Sequence, residues 1–117
     1  MSAHPIIQYA DPETALAWLE RAFGFETTAM DRDEEGVVRH AELRAGGTLV
    51  MVAVGEGSPG QGWTYVAVPE VDELHARAVA AGAEITMPLT DQDYGSRDFA
   101  ARDPDGNRWS FGTYQPA

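Results

Sequence analysis

At 117 residues, 44% of them hydrophobic and 23% charged, the chain has the size and composition of one globular domain with a single core. Nineteen acidic residues against eight basic ones, every one of them arginine, give a formal charge of −11; this excludes the basic footprint of a nucleic-acid binder and any lysine Schiff-base chemistry. Cysteine is absent, which removes disulfides, thiolate metal sites and cysteine nucleophiles.

In chain order, His4 to Tyr9 reads as a first strand. Asp11-Pro12-Glu13 then opens a helix: an Asp cap, Pro in the first turn, and an acid at the positive end of the dipole. Leu16, Leu19 and Phe23 recur at helical spacing up to Gly24. Residues 25–32 form a strand, Asp33-Glu34-Glu35-Gly36 a charged turn, and Val37 to Ala45 an alternating strand with His40, Glu42 and Arg44 on one face. Gly46-Gly47 turns the chain into an apolar strand from Thr48 to Val54. Gly55 to Gly62 is a linker. Trp63 to Val68 reads as a strand, and Glu70, Asp72 and Glu73 start a second helix with Val71, Leu74, Ala78 and Ala81 on its buried stripe. Strand segments follow at 84–89, 97–102 and 107–114, the last two joined by the tight turn Asp103-Pro104-Asp105-Gly106-Asn107.

The two helices end alike, in Phe23-Gly24-Phe25 and Ala81-Gly82-Ala83, with the two glycines 58 positions apart. That period is half the chain, so the order βαβββ is written twice. Each copy leaves an open face that the other helps to close, and a cavity is expected by construction. The boundaries are a single domain over 1–117, with module 1 at about 1–56, the linker at about 55–62 and module 2 at about 62–117. The acidity is spread over both halves. It suits solubility and would draw cationic ligands toward a cleft. No apolar run reaches the ~20 residues of a membrane span, and Met1 to Pro5 does not look like a signal peptide, so no membrane partner and a cytoplasmic location are expected.

Several local patterns fail on context. Gly55 to Gly60 spells a formal G-x-G-x-x-G, but a strand follows it, whereas a dinucleotide loop must open a helix. Asp91, Asp93 and Gly95 fall short of a calcium loop, because the glycine is one place early and Arg102 stands where the closing Glu belongs. Asp103, Asp105 and Asn107 are explained by their hairpin. His75 reads as a half-exposed helix histidine. His40 and Glu42 share a strand face that is either solvated or part of an acid–base or metal site.

Three segments together resemble the glyoxalase / bleomycin-resistance / extradiol-dioxygenase superfamily, the vicinal oxygen chelate proteins. They are Asp11-Pro12 through Phe23-Gly24-Phe25, Val71-Asp72-Glu73-Leu74-His75 through Ala81-Gly82-Ala83, and Arg102-Asp103-Pro104-Asp105-Gly106-Asn107-Arg108-Trp109. The resemblance spans the chain and implies an α+β fold: two βαβββ modules whose mixed sheet curls into a cup with the helices outside. It also implies a homodimer, often with cavities shared between subunits.

Metal-dependent members of that superfamily place one ligand on the first and fourth strands of each module, positions that map to His4, Met51, Trp63 and Ser110. Three of these four lack a competent donor: thioether, indole N–H and neutral hydroxyl are poor partners for a hard divalent ion. No metal or other cofactor is therefore expected. Strand alternation from those slots turns His4, Ile6, Gln8, Met51, Trp63, Tyr65 and Ser110 toward the cup as a small-molecule site, with Ala53 beside them and Val50, Val52, Val54, Val66, Val68, Trp109 and Phe111 in the core. The expected function is metal-free binding of an aromatic or cationic antibiotic-like ligand, without catalysis. The alternatives are a lyase, isomerase or dioxygenase of the same fold using His4 with His40 or Glu42, and a cup simply filled by its own side chains.

Overall fold

The computed structural model describes residues 1–55 and 59–116. Its elements run β1 (Ile6–Tyr9), α1 (Pro12–Phe23), β2 (Glu26–Arg32), β3 (Val38–Ala45), β4 (Thr48–Val54), β5 (Trp63–Ala67), α2 (Val71–Ala80), β6 (Glu84–Asp91), β7 (Arg97–Arg102) and β8 (Arg108–Gly112). Two open four-stranded mixed sheets result, ordered β1-β4-β3-β2 and β5-β8-β7-β6. In each, the first strand runs parallel to the fourth and the remaining pairs are antiparallel. The βαβββ order is thus repeated with the same topology. Glu56, Gly57 and Ser58, which belong to the expected linker and its glycine pattern, lie outside the described residues.

Local chemistry accounts for the element ends. The Asp11 carboxylate accepts from the Thr14 amide at 3.3 Å and Pro12 occupies the first turn of α1. At the far end Gly24 takes φ 71° and its amide donates back to the Glu20 carbonyl at 3.0 Å. The second helix also closes on its glycine, one residue later than the first. Ala81 caps it in the right-handed region, and Gly82, at φ 83°, is the residue after. The Ala83 amide then reaches the Ala78 carbonyl at 3.0 Å, a six-to-one closure in which the glycine turns the chain one position later.

The helices share one side of the sheets. Leu16, Leu19, Ala22 and Phe23 of α1 and Val71 and Ala78 of α2 are buried against Val50, Val52, Val66, Phe99, Trp109 and Phe111. Phe23 meets Phe111 edge-on at 4.8 Å, and Phe25 lies 5.2 Å from Trp109, so residues of the first module enter the aromatic core of the second. Arg77 of α2 strengthens the joint. Its guanidinium donates to the Arg21 and Glu20 carbonyls, both at 3.0 Å, where α1 ends.

The turn from Asp103 to Asn107 does more than reverse the chain, which is all that its composition suggested. Asp103 accepts the Tyr9 hydroxyl at 2.6 Å, and Asp105 accepts the Ala10 amide at 2.8 Å. Buried Asn107 donates to the Gln8 carbonyl at 3.3 Å and accepts from the Gly62 amide at 2.7 Å. This turn therefore clamps β1 of one sheet against the start of β5 in the other. Gly62 fits there because a Cβ would stand 2.8 Å from Asn107 Oδ1 and 3.2 Å from Ile7 Cδ1.

Candidate functional site

The face of each sheet that turns away from the helices carries the candidate residues. Strand register fixes their rows. In the second module Trp63 is paired with Arg108, Tyr65 with Ser110, and Ser110 with Ala100. Phe99, Trp109 and Phe111 point the other way and are fully buried. In the first module Ile6, Met51 and Glu42 form one row, and Gln8, Ala53 and His40 the next.

Trp63, Tyr65 and Ser110 are brought together. They line a cavity of about 510 Å³ with Tyr94, Asp98, Tyr114 and Pro116. Trp63 Nε1 donates to Ser110 Oγ at 3.1 Å, which holds the indole along the sheet. The Arg108 guanidinium lies over the ring, 4.1 Å from the indole centre. Trp63 nonetheless remains 67% exposed and Tyr65 38%, so these side chains do not fill the space between them.

Ile6 and Gln8 line a different, smaller cavity of about 270 Å³ beside Gly62 and Asn107. Ile6 and Met51 are neighbours across β1 and β4 and are both exposed. His4 falls just before β1 rather than inside it. The following Pro5 has no N–H, and its carbonyl accepts the Met51 amide at 2.9 Å, so pairing begins there. The His4 ring is tied locally: Nδ1 donates to the Leu49 carbonyl at 2.8 Å and Nε2 lies 3.0 Å from Ser2 Oγ. Within one chain, then, the seven expected ligand-binding residues divide between the two sheet faces.

His4 is not brought to His40 or Glu42. His40 pairs with Ala53, four positions along β4 from Leu49, a strand distance of about 13 Å before the separation across β4 is added. Its Nδ1 instead lies 3.8 Å from the Asp31 carboxylate. Glu42 is in the Met51 row, with the methionine between it and β1. Among the described residues no group of three His, Asp or Glu side chains is placed to hold a metal ion. His75 packs edge-on against Phe99 at 5.1 Å, on the helix side of the sheet.

Four residues of the larger cavity were not picked out from the sequence: Tyr94, Asp98, Tyr114 and Pro116. Asp98 is buried to 7% exposure. Its Oδ2 accepts the Tyr94 hydroxyl at 3.1 Å and its Oδ1 accepts the Ser96 hydroxyl. Ser96 Oγ in turn accepts the Tyr114 amide at 3.1 Å, and the Tyr65 hydroxyl donates to the Tyr114 carbonyl at 2.6 Å. These bonds draw the segment after β8 across the cavity, with the Tyr94 and Tyr114 rings at 88° and 6.4 Å. The Tyr65 phenol is pushed above its ordinary pKa by loss of solvent, with the Asp98 charge adding to this. Hydrogen bonding to Asp98 does the same for Tyr94. Both phenols are therefore neutral donors at neutral pH.

Two long-range features make this corner. Asp98 alternates with Phe99 in β7, and it faces Gly112, where a Cβ would collide with the Asp98 carboxylate and stand 2.7 Å from the Tyr65 hydroxyl. The strand expected over 107–114 stops at Gly112, which frees Tyr114 to turn over the cavity. No helix among the described residues is long and apolar enough to cross a membrane.

A family model for the Glyoxalase/Bleomycin resistance protein/Dioxygenase superfamily matches residues 2–111. Among solved structures, TioX from Micromonospora sp. ML1 superposes with a TM-score of 0.86 at 34% identity, over 100% of this chain and 98% of that one. A bleomycin resistance determinant encoded on the transposon Tn5 shares the fold, with a TM-score of 0.77 at 18% identity over 99% of both chains. An uncharacterized protein of Mycobacterium bovis is 29% identical over 125 residues, covering 96% of this chain and 81% of that protein.

Proposed function

The chain belongs to the glyoxalase/bleomycin resistance protein/dioxygenase superfamily, and from that premise we propose that it is a metal-free, non-catalytic binder of a small aromatic or cationic molecule. One observation carries the reading. At the positions where metal-dependent members hold ligands, Trp63 and Ser110 are hydrogen-bonded to each other and form part of the wall of an open cavity of about 510 Å³. An indole whose N–H is already donated has no lone pair for an ion, but it offers a flat face for stacking. Exposed apolar and aromatic side chains round a few fixed polar groups are the usual make-up of a small-molecule site.

The first module contributes to the same proposal. Ile6 at 63% and Met51 at 39% exposure leave an apolar strip uncovered on its open face. A homodimer in which a partner's module lies over this strip would bring the two halves of the site together, His4 and Gln8 included. Protection of the drug-sequestering kind needs no reacting group: it lowers free ligand by mass action. Within one chain, the separation of His4 from His40 and Glu42 lends the enzymatic alternative no support. Titration of the Trp63 fluorescence with aromatic and cationic glycopeptide antibiotics tests the proposal. Saturable quenching that is lost in Trp63→Phe is expected; a response to ordinary metabolites alone would overturn the resistance analogy.

A further inference from the structure

Asp98 has a shortage that the rest of the cavity does not relieve. It is a carboxylate at 7% exposure, and no Arg or His among the described residues lies within ion-pair distance of it. Its neighbour Arg97 points elsewhere, to Asp72 at 2.8 Å and Asp91 at 3.0 Å. Each oxygen accepts one hydroxyl, from Tyr94 or Ser96, which leaves lone pairs on both. An acidic group this far from water gains strongly from an opposite charge.

Around it stand three phenol rings. Tyr94 is 64% exposed and Tyr114 54%, set at right angles to each other, with Tyr65 beside them. Ring faces attract cations and become more effective as water is excluded. The opposite end of the cavity has the reverse preference. One cation, the Arg108 guanidinium, already lies 4.1 Å from the Trp63 ring centre, so a second charge there meets repulsion while a neutral ring does not. Gly112 lets the Asp98 carboxylate and the Tyr65 hydroxyl pack against the β8 backbone side by side, since a Cβ there would meet both. The net charge of −11 favours the approach of the same class of ligand.

Granting the small-molecule reading on which it rests, we propose that Asp98 with Tyr94, Tyr65 and Tyr114 forms an amine subsite, taking the protonated amino group of a ligand whose aromatic ring lies on Trp63. The ammonium donates to Asp98 and is walled by the phenols. Of the broad class of aromatic or cationic ligands, the cavity selects those that are both, with the two features joined by a short linker.

Calorimetric titration with 2-naphthylethylamine and with its neutral counterpart 2-naphthylethanol tests this. The wild type is expected to bind the amine about tenfold tighter or more, as for a buried charge pair. Asp98→Asn keeps the shape and is expected to bring the two within about threefold, by weakening the amine and sparing the alcohol. Tyr94→Leu, at an exposed position that does not endanger folding, is expected to reduce the preference severalfold. Equal binding of both compounds by the wild type, or a preference that survives Asp98→Asn, would overturn the amine subsite and leave the aromatic site standing. Binding of neither would overturn both.

Discussion

The Tyr9 hydroxyl donates to Asp103 Oδ2 at 2.6 Å, joining the first strand of one module to the last hairpin of the other. The same oxygen accepts Trp109 Nε1 at 3.1 Å, while Oδ1 accepts the amides of Asp105 and Asn107 at 3.1 and 3.0 Å. All three side chains are buried, so removing the carboxylate strands two buried donors at once. With about 1–3 kcal/mol for each such group, Asp103→Ala is expected to cost about 3 kcal/mol or more. Tyr9→Phe, which removes one donor and leaves an acceptor with three others, is expected to cost about 1 kcal/mol. Urea unfolding measures both, and a cost for Asp103→Ala no greater than for Tyr9→Phe would contradict the clamp.

The same phenol sets an alkaline limit on stability. Burial first, and then the Asp103 charge, raise the Tyr9 pKa far above its ordinary value of 10.0. In the native state Tyr9 stays protonated where the unfolded chain would lose that proton, so above pH 10 the unfolded state binds fewer protons and stability falls as pH rises. Below that value its contribution is fully present. Unfolding midpoints followed from pH 8 to pH 11.5 are expected to decline above pH 10, by up to about 1.4 kcal/mol per pH unit from this residue. Tyr9→Phe is expected to flatten the slope by about one proton. An unchanged slope would place the effect on other groups.

Arg77 spans the two helices with a pair of hydrogen bonds that only a planar fork can make at once. Arg77→Ala is expected to lower stability by about 1 kcal/mol, equivalent to a melting temperature lower by about 4 °C in a domain of this size. Arg77→Lys is expected to restore less than half of it. Thermal unfolding by circular dichroism reads this, and full rescue by lysine would reduce the contact to charge alone.

Gly112 lies in β8 where Asp98 and Tyr65 converge. Gly112→Ala forces one of them aside. A loss of about 1–3 kcal/mol is expected from overpacking, with far-UV circular dichroism unchanged and ligand affinity reduced. Affinity equal to wild type would show that the Asp98 corner takes no part in binding.

Much of this architecture is written locally. Asp11-Pro12 and the glycines at 24 and 82 act within a turn or two, and the alternation of β4 and β8 puts Val50, Val52, Trp109 and Phe111 in the core as read. Ile6, Met51, Trp63, Tyr65 and Ser110 lie on the sheet faces that alternation assigns to them. What local reading misses is long-range. Asp103 has the composition of a turn residue, and only a partner 94 positions away reveals it as a clamp. Asp98 reads as one of many acids; its distinction is burial beside Ser96 and Tyr94, which depends on the hairpin and on the tail crossing after Gly112. His4 and His40 do not share a neighbourhood, because His4 is tied to Leu49 while register pairs His40 with Ala53.

Equilibrium binding of 2-naphthylethylamine to protein purified without chelator, then repeated after exhaustive dialysis against EDTA, tests the metal-free aromatic site most directly. The expected result is one saturable isotherm, the same before and after chelation and weakened at least about tenfold in Trp63→Ala, equivalent to about 1.4 kcal/mol of stacking. One tightly held divalent ion per chain, with binding that disappears on its removal and survives Trp63→Ala, would contradict it.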